Sequence, residues 1–306
     1  MDNRFTSIPT SSSLYYLFIV SSLDHPVYRE LHGMRKQLLQ KYNVPYTVLM
    51  NEDESSLNDA SSPTLVPMQS DEILFPRSGM SPFMTQKFLS AVKMYFRSFP
   101  NWSSVPPYII RINATVYIHW PTFTNIVNSL PREGLIAGPC HTSDCLPFMN
   151  GMVLVFSKDV LRRVLEDPRI YDKSLMQHPD DVALTQLANP YATTKVNLID
   201  YFVHPHKNFT EYEIGNHTDE EGMYRLDVIQ PRNNNKCIYR IARKSNRSID
   251  VKNWQLLLHY YKEEVGDIQE NYTPSSWSTK DKVFLVLGIL LLLVILVVIC
   301  CTKNDH

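Results

Sequence analysis

Two adjacent carboxylates, Asp180-Asp181, follow Pro179 at the start of a predicted helix. Acids at that place cap unpaired backbone amides and suit the positive end of the helix dipole. Other polar side chains collect where strands are expected to end, Ser21 and Ser22 after the apolar run 14–20, and Asn113 and Thr115 after the run 108–112. In an open α/β sheet, ligands bind outside the carboxyl ends of the strands, so these residues are candidate contacts. The nine glycines form no G-x-G-x-x-G and no Walker pattern, which argues against a nicotinamide enzyme or a P-loop motor. No serine stands in G-x-S-x-G, and no histidine pair has the spacing of a helical zinc site. His204 and His206 in HPH lack acidic partners and read as surface or partly buried histidines. Cys140 and Cys145 in CHTSDC have a gap that fits no common zinc spacing, and Cys237 is isolated. Reduced thiols are expected, since a disulfide from Cys140 to Cys145 needs an oxidising compartment.

The elements that must position these residues alternate. Strands are expected at 14–20, 46–50, 108–112, 152–156, 197–203 and 237–241. Helices are expected at 28–42, 85–99, 122–130, 159–165, 180–187 and 251–261. In the first helix Leu31, Met34, Leu38 and Leu39 share a face, with Arg29, Glu30, Arg35, Lys36 and Lys41 placed opposite. Ser157 is a good N-cap for the helix at 159–165. Residues 51–67 are polar and without period, a surface loop. The order of strands and helices predicts an α/β fold, a mainly parallel sheet with helices on both faces.

Residues 283–301, VFLVLGILLLLVILVVICC, carry no charge and one glycine. As a helix they reach about 28 Å, close to the roughly 30 Å of a hydrocarbon core. The sequence thus predicts a tail (1–13), a body (14–262), a linker (263–282), a single C-terminal transmembrane helix (283–301) and a short tail (302–306). Its lipid partner would be a membrane, and Cys300 and Cys301 at the end of the span read as apolar filler, with palmitoylation the alternative. A C-terminal anchor without a preceding secretory signal favours a body facing the cytosol rather than the lumen. Six Asn-x-Ser/Thr sequons, at Asn101, Asn113, Asn208, Asn216, Asn246 and Asn271, argue the other way. The net charge of −1 gives no basic face for nucleic acid.

Three segments together resemble the β-1,3-galactosyltransferase and Fringe-like glycosyltransferases of the GT-A fold. The first is Phe18-Ile-Val-Ser-Ser22 with Tyr28-Arg-Glu30 and Met34-Arg35, similar to an opening strand that ends in serine and an arginine-bearing helix. The second is Lys87, then Tyr108-Ile-Ile-Arg-Ile-Asn-Ala-Thr115, where that family has a lysine-bearing helix and the strand of its acidic metal motif. The third is Phe148-Met-Asn-Gly-Met-Val-Leu-Val-Phe-Ser-Lys-Asp159, then Asp180-Asp181-Val182, like the family's glycine strand and acidic-Asp-Val motif. The resemblance covers about residues 16–187 and implies a GT-A-like body.

It also implies roles. Asp181, with Asp180 second, matches the family's catalytic base, which takes the proton of an acceptor hydroxyl during inverting transfer. Ser21, Ser22, Arg29, Lys87, Arg111, Asn113 and Thr115 fall at donor-binding positions; Asn150, Gly151 and Arg240 fall at the acceptor side or pocket wall. Gly151 is explained equally by close backbone approach. The family's Asp-x-Asp is absent throughout. An amide and a hydroxyl at 113 and 115 are poor substitutes for the hard carboxylates a divalent ion wants, so a bound ion such as Mn²⁺ is not supported. Arg111, Lys87 and the basic residues Arg240, Arg243 and Lys244 could hold phosphate oxygens instead. The expected function is metal-independent transfer from a nucleotide-sugar donor to a glycan or glycoprotein acceptor. The alternative is an inactive GT-A-like domain serving as a sugar-binding or scaffolding module.

Overall fold

The computed structural model describes residues 13–21, 26–51, 71–75, 83–140, 145, 148–203, 236–241 and 248–263. The chain divides into two units, Met1–Val265 and Gly266–His306, and every described residue belongs to the first. The expected anchor 283–301, the loop 51–67 apart from Asn51, and the linker apart from Glu263 lie outside the described residues, as do Ser22, His204, His206, Arg243 and Lys244. Among the described residues no helix is long and apolar enough to cross a membrane.

Strand β1 (Tyr15–Val20) is buried at all six positions. Such a run of aromatic and β-branched residues suits a strand covered on both faces. Tyr15, Leu17 and Ile19 enter one core, Tyr16, Phe18 and Val20 the other. β1 pairs in parallel with β2 (Tyr46–Asn51) on one side and β4 (Tyr108–Asn113) on the other. The order of the seven-stranded sheet is β3-β2-β1-β4-β7-β6-β8, completed by β3 (Glu72–Phe75), β6 (Leu135–Gly138), β7 (Val153–Ser157) and β8 (Thr194–Asn197). Only β7 runs against the rest. A second sheet joins β5 (Val116–Ile118), β10 (Ile238–Arg240) and β9 (Phe202–Val203), in the order β5-β10-β9.

Helices cover both faces. The first core holds Leu31, Met34, Leu38 and Leu39 of α1 (Pro26–Lys41), Phe123 of α3 (Trp120–Asn128) and Trp254 of α7 (Ser248–Tyr260). The second holds Phe88, Val92 and Tyr95 of α2 (Phe83–Arg97), Leu161 of α4 (Lys158–Glu166), Leu175 of α5 (Lys173–Met176) and Leu184 of α6 (Asp180–Ala188). This mixed α/β body with a mostly parallel sheet and flanking helices fits a GT-A-like architecture.

Four expectations are corrected. Arg35, placed on the solvent face of its helix, is buried, because its guanidinium donates to the carbonyls of Ala114 and Val116 and lies 4.7 Å over the Trp254 ring. Ser157 occupies the N-cap of α4, but its hydroxyl turns to β6 and accepts from Leu135 N at 2.8 Å. The strand expected at 197–203 is broken by a 3₁₀ turn, Ile199–Tyr201, between β8 and β9. Cys140 and Cys145, expected as free thiols, form a disulfide, with their Cα atoms 5.0 Å apart.

Candidate active site

Register brings the polar strand ends together. Val20 of β1 stands beside Asn113 of β4, and Ala114 N donates to Val20 O at 2.9 Å. Because β7 is antiparallel to β4, its amino end meets β4's carboxyl end, and Asn113 N donates to Met152 O at 3.0 Å. The turn before β7, with Asn150 and Gly151, therefore faces the corner after β4. Asn150 holds that turn through Oδ1, which accepts from Met152 N at 3.2 Å.

Arg111 alternates with Ile110 and Ile112 along β4 and so points into the second core, where it is 1% exposed. Its Nη2 donates to Asp180 Oδ2 at the first turn of α6. Nε and Nη1 are buried without a hydrogen-bond partner. Asp181 Oδ2 accepts from Gly151 N at 3.2 Å and its Oδ1 from Val182 N at 2.9 Å. Gly151 is the contact point of all three elements. A Cβ there would lie 2.7 Å from Asp181 Cβ and 3.1 Å from Arg111 Nη1. Thr185, one turn into α6, accepts from Met149 N at 3.2 Å and fastens the same turn from below.

Burial first, then the charge of Asp180, raises the pKa of the Asp181 carboxyl, against hydrogen bonds from Gly151 and Val182 and the charge of Arg111. Asp181 is thus a stronger base than an ordinary carboxylate and remains partly open to solvent. A base of this kind can take a proton from a hydroxyl placed beside it.

The other expected residues divide. Lys87 on α2 donates from Nζ to Ser21 O at 3.0 Å, joining two donor-side candidates at the end of β1. Asn113 and Thr115 form one turn, with Asn113 Oδ1 accepting from Thr115 N and Oγ1, each at 3.4 Å. Arg240 pairs with Val116, and the following Ile241 N donates to Thr115 O at 2.9 Å, which brings β10 to the same corner. Arg29 stands exposed on the first turn of α1, where its charge acts on Glu72 of β3; no described hydrogen bond joins it to the Arg111 cluster.

Sequence reasoning missed Arg35 as a site-supporting residue. It clamps the corner after β4 from the face opposite Arg111, and burial brings its pKa down to about 9. Its spacing held the signal, since position 35 is four residues from Leu31 and Leu39 and three from Leu38. Among the described residues no group of three or more His, Cys, Asp or Glu side chains is placed to hold a metal ion.

No family model and no curated protein matches the chain. Among solved structures, a glycosyltransferase involved in glycosylation of the major capsid of PBCV-1 is similar at 8% identity and a TM-score of 0.46, over 78% of this chain and 98% of that one. The apo-form glycosyltransferase GlyE of Streptococcus pneumoniae TIGR4 is similar at 10% identity and a TM-score of 0.42, over 81% of this chain and 62% of GlyE. Another GlyE structure gives 11% identity and a TM-score of 0.39. Likenesses of this strength say nothing about donor, acceptor or mechanism.

Proposed function

We propose that the body is a glycosyltransferase that moves a sugar from a nucleotide-sugar donor to a hydroxyl of a glycan or glycoprotein, with inversion and without a bound metal. The observation that carries this reading is the juxtaposition of a basic carboxylate, Asp181, with a buried guanidinium whose Nε–H and Nη1–H are unsatisfied. Asp181 takes the acceptor's proton as its oxygen attacks the anomeric carbon. The bond from that carbon to the diphosphate breaks, and the nucleoside diphosphate leaves with the electron pair. Arg111 exchanges Asp180 for a phosphate oxygen, and Lys87 and the Ser21 corner complete the anionic subsite. Charge-assisted hydrogen bonds of this kind stabilise a leaving diphosphate where carboxylate ligands for a metal are lacking.

Asp181→Asn tests the assignment, with nucleotide diphosphate binding and sugar transfer measured separately, with and without chelator. Binding retained, transfer lost and indifference to chelator support the proposal. Manganese-dependent binding refutes the metal-free route. A second reading, a sugar-binding module without catalysis, draws on one observation: Asp180 already occupies the guanidinium of Arg111. Transfer undetectable with every common nucleotide sugar, together with glycan binding, would select it. We further propose that residues 283–301 anchor the body to a membrane, so that a chain ending at Lys280 stays soluble with an unchanged melt.

A further inference from the structure

The sequon Asn101-Trp-Ser lies between α2 and β4, at the end of the sheet opposite the Arg111–Asp181 cluster. Asn101 precedes a 3₁₀ turn, Trp102–Ser104, in extended conformation (φ −132°, ψ 138°), and its side chain makes no capping bond. Asn101 and Ser103 are exposed, whereas Trp102 between them is half-buried. The indole packs edge-on against Phe96 at 5.1 Å and lies 5.2 Å from both the Lys158 ammonium and the Arg162 guanidinium. Lys158 Nζ also donates to Trp102 O and Val105 O, each at 2.9 Å. The turn is pinned by its tryptophan and backbone and presents its asparagine and serine to solvent. Asn113 is the opposite case, half-buried in a corner clamped by Arg35, its Oδ1 engaged by Thr115 and its neighbours Ala114 and Thr115 buried.

From the disulfide Cys140–Cys145 together with this displayed sequon, we propose that the body folds in an oxidising, glycosylating compartment and carries an N-linked oligosaccharide on Asn101 but none on Asn113. The two observations are independent, one reporting the redox environment and the other a surface that accepts a bulky, solvated substituent. The co-reactant is an oligosaccharide carried on a lipid diphosphate. Asn101 Nδ2 attacks its anomeric carbon, the N–C bond forms as the carbon–oxygen bond to diphosphate breaks, the lipid diphosphate leaves with the electron pair, and one amide proton passes to a base of the transferring enzyme. A glycan at Asn101 leaves the candidate active site clear, whereas one at Asn113 would stand in it. Asn208, Asn216, Asn246 and Asn271 lie outside the described residues, so the readout must be site-specific.

The full chain is expressed in cells with a secretory pathway, free thiols are alkylated before reduction, and glycans are removed enzymatically in heavy-oxygen water before peptide mapping. The expected result is heavy-oxygen label at position 101, none at 113, and Cys140 and Cys145 alkylated only after reduction. Asn101→Gln and Ser103→Ala should each lose one glycan's step of gel mobility without a change in melting. An unlabelled Asn101, or label at Asn113, overturns the site assignment. Cys140 and Cys145 alkylated without reduction overturns the compartment.

Discussion

Replacing Arg111 by methionine removes the counter-charge of Asp180, whose side chain is only 14% exposed. Breaking a buried pair from one side costs about 3–5 kcal/mol. The intact pair nevertheless contributes little net stability. Two unit charges near contact attract by about 4 kcal/mol at an effective dielectric of about 20. Against that stand the desolvation of both ions and two unsatisfied guanidinium nitrogens, Nε and Nη1, each costing about 1–3 kcal/mol. Arg111→Met and Asp180→Asn alone should therefore each destabilise by about 3–5 kcal/mol, while the double variant returns to within about 1 kcal/mol of the parent or exceeds it. Equilibrium urea unfolding of the full chain in mild detergent measures the cycle, and calorimetry measures nucleotide diphosphate binding on the same four proteins. The double variant should fold as well as the parent yet bind about ten- to a hundredfold more weakly. A double variant as unstable as the singles would mean that the pair serves the fold. One that binds like the parent would remove Arg111 from the ligand site.

Gly151→Ala should cost about 1–3 kcal/mol in thermal unfolding, since its Cβ would meet Asp181 Cβ at 2.7 Å and the first turn of α6 must move; an unchanged melt would mean the turn yields freely. Transfer by the parent should rise with pH through an apparent value above the ordinary carboxylate range as Asp181 ionises, and Asp181→Asn should lose about a hundred- to ten-thousandfold in rate. The same raised pKa gives a stability contribution present below pH 3.8 and lost as pH rises through the folded value, so Asp181→Asn should be relatively more stable at neutral pH; the pH dependence of its melt checks the sign. His32 is held down to about 4, by burial first and then by Arg35, with Lys36 adding to the effect and Asp71 opposing it. Stability should fall as pH drops from about 6.5 to about 4, by up to about 3 kcal/mol, and His32→Gln should flatten that slope in urea titrations. Arg35→Met should loosen the corner after β4, lowering nucleotide diphosphate affinity although Arg35 donates only to backbone there; unchanged binding would confine it to the fold.

The main sheet was legible where strands are buried on both faces, because β1 is an unbroken run of aromatic and aliphatic residues and β4 is one interrupted only by Arg111. The missed strands are short, and their pairing is remote. β6 is LIAG, with one β-branched residue, and becomes a strand through β7 and β8; β5 is three residues whose partner, β10, begins at Ile238. No local window shows such pairings. The disulfide was misjudged because redox state was inferred from the anchor, whereas pairing depends on how near the two cysteines come, 5.0 Å between their Cα atoms. Arg35 was misread because residue type was allowed to outweigh helical spacing. Arg111 teaches the converse lesson. A guanidinium in the middle of a strand covered on both faces is rare unless paired, so its position alone marks a pair or a ligand site. Its partner sits 69 residues away at a helix start, and only the antiparallel β7 and the missing side chain of Gly151 let that helix close upon it. The charge was visible in sequence; that one guanidinium nitrogen is satisfied and the other two are not required the fold.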